Sequence, residues 1–355
     1  MKSTLHFGII GCGVIGPCHA RALDQAEGVT LRSVCDLEEE KARRLAAEFN
    51  VPNVTADARE LLADKSIDAV CICTDHASHA DLAAAALEAG KHVLVEKALA
   101  ANHAGLERMF QAAQRHPDLV FGGVFQHRFD PEYRIARRLV EEGRLGTMLT
   151  AGVQVRCLRT DDYYRSAGWR GTWEQEGGAA CINQAIHYID VALWIMGGAD
   201  SLCATWTNLT HSQVMETEDT AAAVLRFTNG AVGTLEATVS SHLGWETSVA
   251  FHGTEGSIEI RNEKPVKIAF TDEKIQTEVE REFADCRNET SGPLGKSYYG
   301  TGHLSQIRDF VDAIGEGRAP FVTAVSARSA VQTVLAIYEA SEKGCWVKLQ
   351  SGDQD

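Results

Sequence analysis

A chain of 355 residues, 45% of them hydrophobic, exceeds the usual single-domain length and can bury more than one core, so two domains are expected. Its formal net charge of −15 argues against nucleic acid, whose phosphates call for clustered Lys and Arg, and favours a small-molecule partner. No apolar run approaches the roughly 18 to 20 residues of a membrane helix, and residues 5–10 lead into a glycine loop rather than a cleavage site, so a cytoplasmic chain with no membrane partner is expected.

In chain order, residues 5–10 read as a buried strand, Gly11-Cys12-Gly13-Val14-Ile15-Gly16 as a turn, and the residues carrying His19, Ala20 and Leu23 as a helix. Gly11 permits the tight turn, Gly13 lets the backbone approach a pyrophosphate, and Gly16 allows close helix packing. The helix N-terminus, with Val14 and Ile15 before it, faces the negative charge. A second apolar strand, 29–35, ends at Asp36, placed to accept hydrogen bonds from an adenosine ribose diol. That acid repels a 2′-phosphate and so favours NAD, while Arg43 and Arg44 leave NADP open. Residues 67–73 form another strand. Its Cys71 and Cys73 would share one apolar face, and no second metal-like pair follows, so the ten cysteines read as reduced core residues and no metal is expected. Thr74, Asp75 and His79 follow at the edge where such sheets bind ligands. They are cofactor-rim candidates, although Asp75 and Ser78 serve equally well as helix caps. A strand over 91–95 brings Glu96 and Lys97 to the same edge, where a nicotinamide would lie, and a helix over 99–116 and a strand over 119–125 complete a doubly wound parallel sheet over 1–125.

The pattern then changes. Short alternating runs at 200–209, 219–228, 231–241, 246–252 and 256–261 predict a large open, mostly antiparallel sheet in an α+β domain over 126–355. Asn229-Gly230 predicts a type I′ hairpin between two of them. Two helices over 303–343, with Pro320 between them, would return to brace the domain pair. The uncovered face of an open sheet needs burial, which suggests a homodimer or homotetramer. After Gly177-Gly178 a helix runs through Trp194 to Gly197, with Asn183, His187 and Asp190 on one face at i, i+4 and i+7. Taken alone, such a histidine reads as a partly buried structural residue.

The run from Ala89 through His92 and Val95 to Glu96-Lys97, preceded by Thr74-x-x-x-x-His79, resembles the Gfo/Idh/MocA family of sugar and inositol dehydrogenases over nearly the whole chain. The family's Glu-Lys-Pro is Glu96-Lys97-Ala98 here. The resemblance implies an N-terminal Rossmann domain and an oxidoreductase that moves hydride between nicotinamide C4 and a secondary alcohol of a sugar, nucleotide sugar or cyclitol. It implies that Lys97 and His187 form the catalytic group. Asn183 stands where the family has Asp or Asn, and matches the Asn-Gln subgroup of pyranose and nucleotide-sugar dehydrogenases. Arg128, Tyr163, Trp169, Arg170, Tyr299 and His303 resemble positions around the sugar, and Asn183 and His187 would touch it too. Glu96 would hold Lys97 or contact the nicotinamide ribose. An imidazole with an ordinary pKa near 6.5 suits proton transfer, so His187 is the first candidate for the base. A protonated Lys97 would stabilise alkoxide charge. A neutral Asn183 cannot stabilise imidazolium as aspartate would, which shifts proton acceptance partly toward Lys97. Two other readings compete: an NAD-cycling glycosidase on the same fold, which would yield no net NADH, and a silent dinucleotide sensor or regulator, which should lack Lys97 and His187.

Overall fold

A computed structural model describes residues 4–286 and 302–349. The chain divides into two compact units, Met1–Gln126 with Pro293–Ala327, and His127–Gly292 with Arg328–Asp355.

The first unit is built on six strands in the order Asn53–Thr55, Val29–Cys35, Leu5–Ile10, Ala69–Ile72, His92–Val95, Phe121–Gly123, every neighbouring pair parallel. Helices on both faces leave no side of the central strands to solvent, which is why their sequences are continuously apolar rather than alternating. Phe7, Ile9, Val34, Ala69, Val70, Cys71 and Val93 are all fully buried. Strand order reverses between Leu5–Ile10 and Ala69–Ile72, so the loops leaving those two strands flank the crevice where doubly wound sheets take their ligands. The predicted helix over 99–116 begins only at His103, where the Asn102 side chain accepts the Gly105 N–H at 2.8 Å. Asn53–Thr55 was not anticipated, because three residues show no period.

Helix Gly302–Glu316, read from the sequence as part of the segment returning to brace the domain pair, packs within the first unit. The reason is its apolar stripe. Leu304, Ile307, Phe310 and Val311 join the core of the first sheet, with Phe310 edge-on to Phe7 at 6.3 Å and the Gln306 amide donating to the Gly123 carbonyl at 2.8 Å.

The second unit carries eight strands in the order Lys264–Phe270, Gly256–Arg261, Ser240–Gly253, Met148–Leu158, Val232–Thr238, Thr220–Phe227, Ala199–Thr207, Val347–Lys348. All neighbours are antiparallel except Met148–Leu158 with Val232–Thr238. Thr220–Phe227 shows the one-sided pattern cleanly: Ala221, Ala223, Leu225 and Phe227 are buried, while Ala222, Val224 and Arg226 are exposed. The Asn229-Gly230 hairpin forms, but not as type I′. Only Gly230 has positive φ, +88°, and its N–H returns to the Phe227 carbonyl at 3.0 Å. Asn229 keeps an ordinary backbone, its side chain accepting the Ala231 N–H and donating to the Met196 carbonyl, which leaves a three-residue loop with glycine at its left-handed position. No described helix is long and apolar enough to cross a membrane.

Candidate active site

In the first unit, Gly11 has φ +97°, and a Cβ there would lie 2.5 Å from the Cys73 carbonyl oxygen; one on Gly16 would lie 2.5 Å from that of Gly11. Both glycines are demanded by the protein's own backbone. Gly13 is different: a Cβ there would meet nothing within 4 Å, so its lack of a side chain keeps a cradle open beside helix Gly16–Asp24. That helix has Ile15 as its N-cap with no side-chain cap, and Val14 is exposed. The orphan N–H groups of the first turn therefore suit an anion. Asp36 accepts the Cys12 N–H at 2.8 Å and the Glu38 N–H at 2.9 Å, one on each oxygen, and each oxygen retains a lone pair for a ribose hydroxyl. Arg43 is paired with Glu39 at 2.6 Å. These residues fit a dinucleotide with an unphosphorylated adenosine ribose.

Farther along the same edge, Asp75 caps helix His76–Glu88 through the Ser78 N–H at 3.2 Å, and the Ser78 hydroxyl donates to Thr74 Oγ1 at 2.7 Å. His79 departs from expectation. It is fully buried, its ring nitrogens lying 2.7 Å from the Ala98 carbonyl and 3.1 Å from that of Thr74. Burial pushes its imidazole below the ordinary value against those carbonyls. His79 is thus no rim residue but a tie between the loop after Ala69–Ile72 and the loop that carries Lys97. The Lys97–Ala98 peptide is cis.

Glu96 is buried, with Oε1 2.8 Å from His19 Nε2 and Oε2 accepting the Lys97 N–H at 3.1 Å. Burial works against its charge, yet His19, with His303 and Lys97, holds the carboxyl below its usual range. His19 is likewise held well above its ordinary value, burial opposing and the Cys73 and Cys71 sulfurs and Glu96 favouring the charge. His303 is buried in the first unit, its ring edge-on to His19 at 6.4 Å, which places it in the packing around this pair rather than around a sugar. Lys97 remains half-buried on the edge that also bears the glycine loop.

In the second unit a wide π-helical turn, Ala180–Ala185, leads into helix Ile186–Met196 where one continuous α-helix was expected. Gly178 has φ +141°, and a Cβ there would collide with the Tyr338 hydroxyl. The buried Glu218 anchors the turn, accepting the N–H groups of Ala179 at 3.1 Å and Cys181 at 2.8 Å and the Tyr338 hydroxyl at 2.8 Å. Burial nonetheless pushes its carboxyl up. Along residues 180–193 every side chain is buried except Asn183 and His187, which are half-exposed. The Asn183 amide donates to Glu176, whose other oxygen accepts the Gly171 N–H. Glu176 is fully buried. Sequence reasoning missed it, because a carboxylate seven residues upstream and across two glycines has no periodic relation to the helix.

Tyr163, Trp169 and Arg170 come together. The Arg170 guanidinium lies 4.3 Å from the Tyr163 ring centre and 4.4 Å from that of Trp169, and donates to the Tyr163 hydroxyl at 2.6 Å. Gln184, next to Asn183, reaches the same hydroxyl at 3.5 Å. Arg128 does not join them. It is 4% exposed and grips Asp190 with two hydrogen bonds of 2.7 and 2.5 Å, so both residues are structural, and Asp190 leaves the catalytic face. Tyr299 lies outside the described residues. No group of three or more candidate metal ligands occurs among the described residues.

A glycine loop at the switch point of a parallel sheet, an acid ending the next strand, and a lysine on the same edge define a nucleotide-dependent oxidoreductase. The chain belongs to the Gfo/Idh/MocA oxidoreductase family: residues 5–124 match its NAD-binding Rossmann fold and residues 137–349 its C-terminal alpha/beta domain. It is similar to myo-inositol 2-dehydrogenase of Thermotoga maritima, 26% identical over 98% of this chain and 99% of the relative. It is similar also to a levoglucosan dehydrogenase solved with NADH and levoglucosan, 26% identical, with a TM-score of 0.84 over 98% of this chain and 99% of that one. The WlbA dehydrogenase of Bordetella pertussis, solved with NADH and UDP-GlcNAcA, shares the fold with a TM-score of 0.89 at 24% identity over 99% of both chains.

Proposed function

We propose that this chain is an NAD-dependent dehydrogenase acting on a secondary alcohol of a sugar, nucleotide sugar or cyclitol. One observation carries the reading. Glu96, the neighbour of Lys97, is hydrogen-bonded to His19 of the helix that begins at the glycine loop, so the lysine and the cofactor cradle are built on one edge of one sheet. The named activities of the relatives, on myo-inositol and levoglucosan, supply the substrate class.

Bound NAD supplies the hydride acceptor. The chain's own residues do the rest. Lys97 donates a hydrogen bond to the reacting oxygen and steadies its developing negative charge. His187 takes the hydroxyl proton as general base. Asn183, its amide held by Glu176, orients the substrate, and the stacked Tyr163, Trp169 and Arg170 offer the planar surface and donors that a polyhydroxylated ring needs. Asp36 selects NAD over NADP by repelling a 2′-phosphate. The outward Ala222, Val224 and Val232 of the open sheet provide a face for a second copy, and a cytoplasmic homo-oligomer belongs to the same reading.

The test is NADH formation from NAD with a panel of myo-inositol, levoglucosan, free pyranoses and UDP-hexoses. Net NADH with a member of the panel, lowered about 10³-fold or more by Lys97→Ala while NADH still binds, is the expected outcome. Glycoside cleavage without net NADH would replace it with the cofactor-cycling reading.

A further inference from the structure

The mechanism above uses His187 and leaves a second histidine unexplained. The His127 ring stands edge-on to that of His187, with centroids 5.3 Å apart and planes at 86°. His127 is itself gripped: its Nδ1 lies 2.5 Å from Asp130 Oδ2, both residues are 1% exposed, and the rings of Tyr133 and Tyr188 stand 6.1 and 5.3 Å away. We propose that His127 is a positioning residue for His187, its carboxylate-bound ring fixing the plane of the His187 ring and setting a positive charge beside it, so that His187 waits in its neutral, proton-accepting form. The inference rests on the reading of His187 as the base.

The surroundings of His127 favour that charge. Asp130 faces it from its own segment, Asp190 from helix Ile186–Met196 with Arg128 as its partner, and Glu263 from the turn between Gly256–Arg261 and Lys264–Phe270. Glu263 accepts the Tyr188 hydroxyl at 2.6 Å. Burial opposes a proton on His127, but Asp130, then Glu263 and Asp190, hold the imidazole above its ordinary value. A like charge within about 4 to 6 Å disfavours a second one, and 5.3 Å falls inside that range. A cationic His127 therefore lowers the proton affinity of His187, and removing the charge raises it. Fixing the ring plane matters separately, since a misaimed base loses much of the advantage of proximity.

The full-length protein labelled with ¹³C-histidine gives the test. The His187 resonance, assigned by its loss in His187→Gln, is followed through a pH titration in wild type, His127→Gln and Asp130→Asn, alongside the acid limb of kcat/KM for NAD reduction. The expected result is a wild-type His187 that titrates below its ordinary value and moves up by about one pH unit in either variant, the acid limb moving with it. A wild-type His187 at its ordinary value, or one that moves in neither variant, overturns the proposal. Binding of NADH by fluorescence confirms that each variant is folded, and Asp130→Asn, which keeps shape and removes charge, carries the test if His127→Gln does not fold. If the resonance shifts as expected but His187→Gln retains turnover, the electrostatic coupling of the two rings stands, while the assignment of His187 as base, and with it the catalytic purpose of that coupling, falls.

Discussion

Asn183 is the residue whose meaning changed most between sequence and structure. In the sequence it is a neutral amide where an aspartate would have faced the base, and it suggests a loss of negative charge. In the fold the acceptor stands one step back, at Glu176, which holds the Asn183 amide from a fully buried position. A buried carboxylate with two fixed donors orients its partner firmly. Glu176→Gln preserves the volume but turns an acceptor into a donor, and should lower kcat about 10- to 100-fold with a smaller change in KM, read from steady-state rates of NAD reduction. The His19–Glu96 pair predicts a pH dependence of stability. Glu96 is depressed from 4.5, so its contribution is present above that value and fades as pH falls through its folded value; His19 is raised from 6.5, so its contribution is full below that value and fades as pH rises through its folded value. Stability from the pair is therefore complete between about pH 4.5 and 6.5. Urea unfolding of His19→Gln should show a loss of about 3 kcal/mol in that window and a flatter pH profile than wild type.

The loop elements were legible wherever one residue type answers one backbone demand. Gly11 and Gly16 are required by carbonyls 2.5 Å from a would-be Cβ, and a glycine motif announces such sites directly. One cap is similar: Asp75 holds the Ser78 N–H it was suited to hold. Turn type was not legible, because Asn229 spends its side chain on Met196 and Ala231 instead of adopting positive φ. The π-helical opening of the segment bearing Asn183 also escaped periodicity. It depends on Glu218 and Tyr338, the latter distant in the chain, and widened turns of this kind recur at functional sites. At this scale the testable element is the end of strand Val29–Cys35. Asp36→Ser should weaken NAD about tenfold and narrow the preference over NADP, measured as the ratio of kcat/KM for the two cofactors.

Across the molecule, the first unit depends on a helix that arrives late in the chain. Phe310 is 1% exposed and lies against Phe7, and a cavity in that place has few ways to collapse. Phe310→Ala should cost about 3 to 5 kcal/mol in chemical denaturation, with loss of NADH binding tracking the unfolding, whereas a residue confined to a separate C-terminal domain would leave cofactor binding untouched. Arg128 and Asp190 do the same for the second unit: their bidentate pair is buried on both sides. That explains why an arginine which resembled a sugar ligand by position serves packing instead.

The strand–helix alternation of the first unit, the glycine loop, Asp36 and the arrival of Lys97 at the carboxyl edge follow from local pattern, since apolar runs, turn residues and a repeated strand–helix alternation act over short stretches of chain. Ion pairing and burial across long separations do not. Whether Arg128 faces a ligand or Asp190, whether His79 lies on a rim or ties two loops, which carboxylate supports Asn183, and which histidine stands against His187 are set by contacts between residues up to 62 positions apart. Buried polar groups must find partners wherever the fold brings them, and no period in the sequence records who those partners are.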